Sequence, residues 1–113
     1  ARHVKRALDL DSVRVVGDRQ RPVKRIATVA GGGARLVSAV ADSGADVFVT
    51  GDVGHHHMLE AVARGICLID AGHAGTERVV LDPLAATLRA RLHEFDPHLT
   101  VDVLVQPTLV AVV

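Results

Sequence analysis

The chain has 113 residues, of which 49% are hydrophobic, 2% are aromatic and 23% are charged, and its formal net charge at pH 7 is zero. This length is enough for one domain with its own core, and no apolar run approaches the roughly 20 residues of a membrane span. There is no recognisable signal peptide, and the single cysteine, Cys67, excludes an internal disulfide framework, so we expect a cytoplasmic protein.

The first 25 residues are basic and have the weakest structural pattern. They carry eight of the 13 Lys and Arg residues but only three of the 13 Asp and Glu residues. Such a segment can bind nucleic acid, phosphate or a partner protein, or it can be a solvated face. The chain has almost no aromatic side chains to stack on bases, so we expect no nucleic-acid partner. We expect residues 1–22 to be a poorly defined segment before the first firm strand, with the end of a helix and a strand at 13–16.

Strands and helices alternate beyond this segment. Runs of apolar residues predict strands at 23–30, 46–50 and 66–70, and apolar residues at helical spacing predict helices at 34–43 and 55–64. The short connections predict one α/β domain over the whole chain. We expect a parallel or mixed sheet with helices on both faces, which makes three layers joined by right-handed crossovers.

The C-terminal third predicts one long helix and two further strands. Thr76 suits the N-cap of a helix over residues 76–94, and Pro83 indicates an interruption within it. Residues 100–105 predict the last strand, and residues 109–113 an added edge strand.

A run of three glycines, residues 31–33, joins the first predicted strand to its helix. A glycine-rich turn before a helix can hold phosphate on backbone N–H groups. The run lacks the spaced glycines of a dinucleotide site and the lysine of a phosphate loop. A tight turn that needs positive φ is therefore the better explanation.

Histidines and carboxylates follow two of the predicted strands. The strand at 46–50 leads into residues 50–57 (TGDVGHHH), and the strand at 66–70 leads into residues 70–77 (DAGHAGTE). Parallel strands bring such segments to the same edge of a sheet. Imidazole and carboxylate together suit zinc, iron and manganese. We therefore expect part of a metal site at this edge.

His73 and Glu77 are the more specific candidates for metal ligands within these segments. Their spacing of four residues lets an imidazole and a carboxylate converge on one ion. Alternatively, Glu77 stabilises the helix dipole and His73 is a surface residue. Adjacent residues on a helix point about 100° apart, so at most two of the three consecutive histidines can reach one site. Asp52 can bond a histidine or cap the following helix.

The two segments in register resemble the C-terminal half of the NIF-three-like family, whose members are also called GTP cyclohydrolase I type 2 homologues. The resemblance rests on residues 46–52 with His56 and on residues 70–77, and residues 22–33 (PVKRIATVAGGG) resemble the start of that half. It spans about residues 20–92, in the same order and spacing. It implies that the chain is the C-terminal lobe of a larger, two-lobed α/β protein.

The resemblance also implies a pair of adjacent divalent metal ions between the lobes and assembly into a homo-hexamer. Carried over residue by residue, His73 and Glu77 match metal ligands. His56 and Asp52 match the histidine and the acidic residue near the metals. The implied activity is metal-dependent hydrolysis of a nucleotide or related small molecule, with His56 or Asp52 moving the proton.

Two departures from the family pattern bear on this expectation. The N-terminal half, with its own metal ligands, is absent, and residues 105–109 (VQPTL) replace the usual Asp-Pro-aromatic ending. Alone, the chain should bind metal weakly and expose apolar surface. Two alternatives stay open: a non-catalytic metal scaffold, and a regulatory interaction protein that uses the basic segment. The residues to test for that interaction are Arg19, Arg21, Lys24 and Arg25.

Overall fold

The computed structural model describes residues 1–104, which fall into two compact units, Ala1–Val79 and a second that begins at Val80. In chain order the first unit contains α1 (Arg2–Ala7), β1 (Arg14–Val16), β2 (Ile26–Thr28), a 3-10 turn (Ala34–Leu36) leading into α2 (Val37–Asp42), β3 (Val47–Thr50), α3 (His55–Ala63), β4 (Cys67–Asp70) and α4 (His73–Glu77). A 3-10 turn (Arg78–Val80) and α5 (Leu81–His93) follow.

The four strands form one mixed sheet in the order β1-β4-β3-β2. Strands β2, β3 and β4 run parallel, and β1 pairs with β4 in the antiparallel direction. Val47 lies opposite Cys67 and Thr50 lies opposite Asp70. The segments that follow β3 and β4 therefore leave the sheet side by side.

Both faces of the sheet are covered, which explains why every residue of β3 and β4 is buried. On one face Phe48 and Leu68 pack with the α2 and α3 residues Val37, Val40 and Ala61. The opposite face holds a second apolar cluster, to which α1 and the segment after it contribute: Val47, Val49, Cys67, Ile69, Val4 and Leu8. The predicted α/β class, with a mixed sheet between helical layers, is confirmed.

Burial also affects the single thiol. Desolvation raises the pKa of Cys67, so burial disfavours the reactive thiolate form of this side chain. None of the helices within residues 1–104 combines the length and the apolarity that a membrane span requires.

The predicted elements differ from the observed ones mainly at their ends. The strand predicted at 23–30 is only three residues long, Ile26–Thr28. It starts late because the Asp46 carboxylate binds the backbone N–H groups of Lys24 and Arg25. Residues 100–104 contain no strand, so that prediction is wrong over the described residues. The edge strand predicted at 109–113 lies outside them.

The helix predicted from Thr76 begins three residues earlier, at His73. Gly72 has φ 73° and starts the turn, and the Thr76 hydroxyl lies inside it, 2.8 Å from the carbonyl oxygen of His73. The predicted interruption is present as the turn Arg78–Val80. Pro83 lies in the first turn of α5. The N–H groups of a first turn have no partner within the helix, so a proline there costs no helical hydrogen bond.

Asp46 joins the basic segment to the start of β3. Its carboxylate accepts hydrogen bonds from the N–H groups of Lys24 at 2.8 Å and Arg25 at 2.9 Å, and from the Arg21 guanidinium at 3.1 Å. The backbone bond from Arg25, then that from Lys24, then Arg21 lower the pKa of Asp46 to about 2. Part of the basic segment therefore holds the fold together.

We expect Asp46→Asn to lower the melting temperature at pH 7, because it removes the charge that these donors stabilise. The folded-state pKa lies below the unfolded value of about 3.9, so the wild type should lose this contribution as the pH falls from about 4 towards 2. The variant should lose less over the same interval. Thermal unfolding followed by circular dichroism at pH 7, 4 and 2.5 measures both effects.

Asp42→Asn is the matched control, because the Asp42 side chain is 73% exposed and pairs only across the surface with Arg64. It should change neither quantity appreciably. If Asp46→Asn and the wild type lost stability in parallel on acidification, the role given to Asp46 would be wrong.

Candidate metal centre

The candidate site is built where β3 and β4 end, entirely within the first unit. Three loops meet there: the Gly51 N–H donates to the Gly31 carbonyl at 2.8 Å, and the Ala71 N–H donates to the Thr50 carbonyl at 2.8 Å. A Cβ atom on Gly51 would lie 2.6 Å from the backbone nitrogen of His73. Only glycine therefore allows the loop after β3 to lie against the start of α4.

His73 is the centre of the site, because each of its ring nitrogens faces a carboxylate. Nδ1 is 3.0 Å from Oδ2 of Asp52, and Nε2 is 3.2 Å from Oε1 of Glu77. All three side chains are at least half exposed. The structure thus brings together three of the four residues singled out in the sequence, at a position that a ligand can reach.

His56 is the residue that does not join them. It is exposed in the first turn of α3, and its ring packs edge-on against that of His55, with centroids 5.9 Å apart. Among the described residues it makes no hydrogen bond to Asp52, His73 or Glu77. Nor do residues 1–104 contain a group of three His, Cys, Asp or Glu side chains placed to hold a metal ion by themselves.

Gly31 forms the wall beside the His73–Glu77 pair. Its φ of 67° confirms the predicted turn, and its N–H donates to the Thr76 hydroxyl oxygen at 2.8 Å. A Cβ atom there would lie 2.5 Å from Oε1 of Glu77 and 3.0 Å from Nε2 of His73. The missing side chain is therefore needed for the space as well as for the turn, which the local sequence does not reveal.

Asp70 is the residue at this edge of the sheet that the sequence did not single out. It is 3% exposed and accepts hydrogen bonds from the N–H groups of Asp52 at 3.1 Å, Val53 at 3.0 Å and Gly72 at 3.0 Å, and from the Arg14 guanidinium. Burial raises the pKa of Asp70, but the bonds from Gly72, Val53 and Arg14 outweigh it and the pKa is lowered. The sequence offered one signal for it, an aspartate that directly ends the apolar run of a predicted strand.

The donor set fits one edge of a divalent metal site. Two ligand atoms at about 2.1 Å from a tetrahedral or octahedral ion lie about 3.0–3.4 Å apart, and Nε2 of His73 and Oε1 of Glu77 are 3.2 Å apart. Metal-binding histidines commonly donate their other ring N–H to a carboxylate, and Asp52 is placed to accept it. His73 and Glu77 would thus be two ligands, and the others would come from outside the described residues.

Comparison with known proteins identifies the family of this chain. The profile of the Duf34/NIF3 (NGG1p interacting factor 3) family matches residues 1–108. The chain belongs to the Duf34/NIF3 family. The resemblance found in the sequence is therefore confirmed.

The Duf34/NIF3 relatives are longer than this chain. A GTP cyclohydrolase 1 type 2 homolog of Nostoc sp. strain PCC 7120 is 44% identical over 73 residues, which cover 65% of this chain and 28% of that protein. One from Staphylococcus aureus strain COL is 42% identical over 88 residues, which cover 78% of this chain and 24% of that protein. The chain spans about a quarter of the length of these curated relatives.

Solved structures give the same result. The Staphylococcus aureus protein SA1388 superposes with a TM-score of 0.82 at 33% identity, over 96% of this chain and 36% of that one. The protein TTHA1606 from Thermus thermophilus gives 0.75 at 32% identity, over 97% of this chain and 42% of that one. The mixed sheet and its helices are thus the fold that this part of the family adopts.

We expect Gly31→Ala to separate Glu77 from His73, because its Cβ atom would occupy the space beside both side chains. Since the residue also has positive φ, the variant should lose about 1–3 kcal/mol of unfolding free energy. Chemical denaturation measures the loss, and the imidazole nitrogen NMR signals of His73 report the changed contact.

Gly32→Ala is the matched control. A Cβ atom on Gly32 would lie 3.7 Å from the His73 ring, in ordinary contact. This variant should keep both stability and the His73 signals. Equal behaviour of the two variants would show that the missing side chain at residue 31 is unimportant.

Proposed function

We propose that His73 and Glu77 form one edge of a divalent-metal centre in a metal-dependent hydrolase that acts on a nucleotide or related small molecule. The observation that carries the proposal is the placement of His73 between two carboxylates, Asp52 at 3.0 Å and Glu77 at 3.2 Å. The glycine at residue 31 supports it, because a side chain there would collide with Oε1 of Glu77 and crowd Nε2 of His73. Membership of the Duf34/NIF3 family is consistent with it.

Each residue has a separate proposed task. His73 and Glu77 hold the metal, for which zinc, iron and manganese all suit the donor set. Asp52 keeps the His73 ring in the ligating orientation by accepting its Nδ1–H, so we assign it an orienting role in place of proton transfer. His56 remains the proposed proton carrier. When bound, a pair of such ions would promote hydrolysis by lowering the pKa of a bound water and by stabilising the negative charge that develops in the reaction.

The remaining ligands must come from another part of the protein or from a second copy, because a catalytic ion is usually held by at least three protein ligands. We therefore propose two metal ions per chain in a homo-oligomer, a hexamer by resemblance to the family. Exposed apolar side chains of the first unit support a buried contact in that assembly: Ile26, Leu59 and Val62.

A metal-binding scaffold without turnover is the second candidate. It is favoured by the absence, within residues 1–104, of a hydrogen bond or ion pair between His56 and the His73–Glu77 pair. A regulatory protein that binds through its basic segment is less well supported, because Arg14, Arg21 and Arg25 are engaged within the fold by Asp70, Asp46 and the Ser43 carbonyl.

Elemental analysis of the natural full-length protein after dialysis tests the proposal. We expect about two metal ions per chain in the wild type, as in dinuclear hydrolases, and a large loss in the His73→Ala/Glu77→Ala double variant. The double variant His98→Ala/Glu94→Gln is the matched control, because both residues are exposed and lie outside the site. It should keep the metal.

The outcomes separate the candidate functions. Metal that is lost in the double variant, together with hydrolysis of nucleotides or phosphoesters that depends on it, supports the hydrolase. Metal without turnover on that panel supports the scaffold. A metal-free wild type, or metal unaffected by the double variant, would make His73 and Glu77 ordinary helix residues and overturn both.

A further inference from the structure

We propose that Asp70, together with Arg14, is the positioning unit of this centre: it sets the orientation of Asp52 and, through Asp52, that of the His73 ring. Among the described residues, the Asp70 carboxylate makes no hydrogen bond to the side chain of His73 or Glu77. The inference rests on the proposed function, because the object positioned is a metal ligand.

The Asp70 carboxylate joins the loop after β3 to the loop after β4. Oδ1 accepts the N–H groups of Asp52 at 3.1 Å and Gly72 at 3.0 Å, and Oδ2 accepts the Val53 N–H at 3.0 Å and the Arg14 guanidinium. With four donors on two oxygens, this buried group is well satisfied. A single side chain thus fixes both loops relative to the sheet.

Each of these loops contains one residue in the left-handed region. Asp52 has φ 54° and Gly72 has φ 73°. Glycine adopts this backbone freely, but an aspartate does so only at a cost in free energy. Such a conformation persists only where its surroundings hold it. The hydrogen bond from the Asp52 N–H to Asp70 is the contact that holds it here.

Both connections to His73 start from Asp70. The side-chain connection runs from Asp70 to the backbone of Asp52, whose carboxylate lies 3.0 Å from Nδ1 of His73. The backbone connection runs from Asp70 to the N–H of Gly72, the residue immediately before His73. A change in Asp70 should therefore move the ring relative to Glu77 without altering any atom of the three site residues.

Arg14 completes the unit from the neighbouring strand. It pairs with Asp70 in the antiparallel register of β1 and β4, and its guanidinium also donates to the Val53 carbonyl at 3.1 Å. The Arg14 side chain is 64% exposed while that of Asp70 is 2% exposed. Arg14 can therefore be replaced without opening the core, although its loss leaves a buried carboxylate with one donor fewer.

Asp46 provides a test of whether Asp70 is merely structural. It accepts two backbone N–H groups and one arginine, where Asp70 accepts three and one, but it precedes β3 and so lies at the other end of the strand from the site. Asp70→Asn and Asp46→Asn remove the same charge from a carboxylate with the same kinds of donor, although the Asp70 side chain is 2% exposed and that of Asp46 is 19% exposed. Only the first should affect His73.

The experiment compares Asp70→Asn, Arg14→Met and Asp46→Asn in the natural full-length protein, at a temperature where each is folded. Zinc affinity is measured by competition with a chelator, and the geometry of the centre by the visible absorption of the cobalt-substituted protein. The nitrogen NMR signals of the His73 ring are recorded without metal. These spectroscopic measurements respond to ring orientation, which a purely structural role would leave unchanged.

We expect Asp70→Asn to weaken zinc binding by about 10–100-fold, the usual effect of losing outer support for a ligand. It should also shift the cobalt absorption and the His73 Nδ1 signal. Arg14→Met should produce the same changes at smaller size. Asp46→Asn should lower the melting temperature and leave all three measurements at their wild-type values.

The inference would be overturned if Asp70→Asn kept the zinc affinity, the cobalt absorption and the His73 signal of the wild type. If Asp70→Asn does not fold, the same result in Arg14→Met would overturn it. A wild type that binds no metal refutes the proposed function separately. The metal-free His73 signal then still decides the matter: a shift confined to Asp70→Asn and Arg14→Met supports positioning, and its absence overturns it.

Discussion

The parallel pairing of β3 with β4 is the constraint on which the site depends. Because Thr50 lies opposite Asp70, the loops that follow the two strands begin at the same level of the sheet. A slip of one residue would turn every side chain of a strand to the other face. It would remove Phe48 or Leu68 from the core and carry Asp70 away from the loop N–H groups that it binds. Burial of the apolar side chains thus fixes the register, and the register places the carboxylate.

Much of the fold was predictable, because its signals are local. Buried parallel strands read as continuous apolar runs, so β3 and β4 were placed within one residue of their observed ends. The His73–Glu77 contact was also predictable, because residues four apart lie on the same face of a helix. The family resemblance added what the spacing left open, namely which residues of the two segments match the metal ligands and which match the residues near the metals.

The remaining features depend on contacts between residues far apart in the chain. The late start of β2 arises from Asp46, which is 22 residues from Lys24. The early start of α4 arises from the positive φ of Gly72, which local propensity does not require. The bond between Asp52 and His73 spans 21 residues. Nothing in either segment indicates which of Asp52 and His56 reaches the histidine ring.

Arg14 and Asp70 are 56 residues apart in sequence, and this separation has a consequence for how the protein folds. Closing a loop of this length costs entropy, which the contacts between β1 and β4 must offset. During synthesis the β1 arginine must wait until β4 has left the ribosome. A chain that has already formed α2, β3 and α3 still lacks the antiparallel edge that fixes its left-handed turns. The Asp70 carboxylate therefore has its full set of donors only once the first strand of the chain has paired with β4.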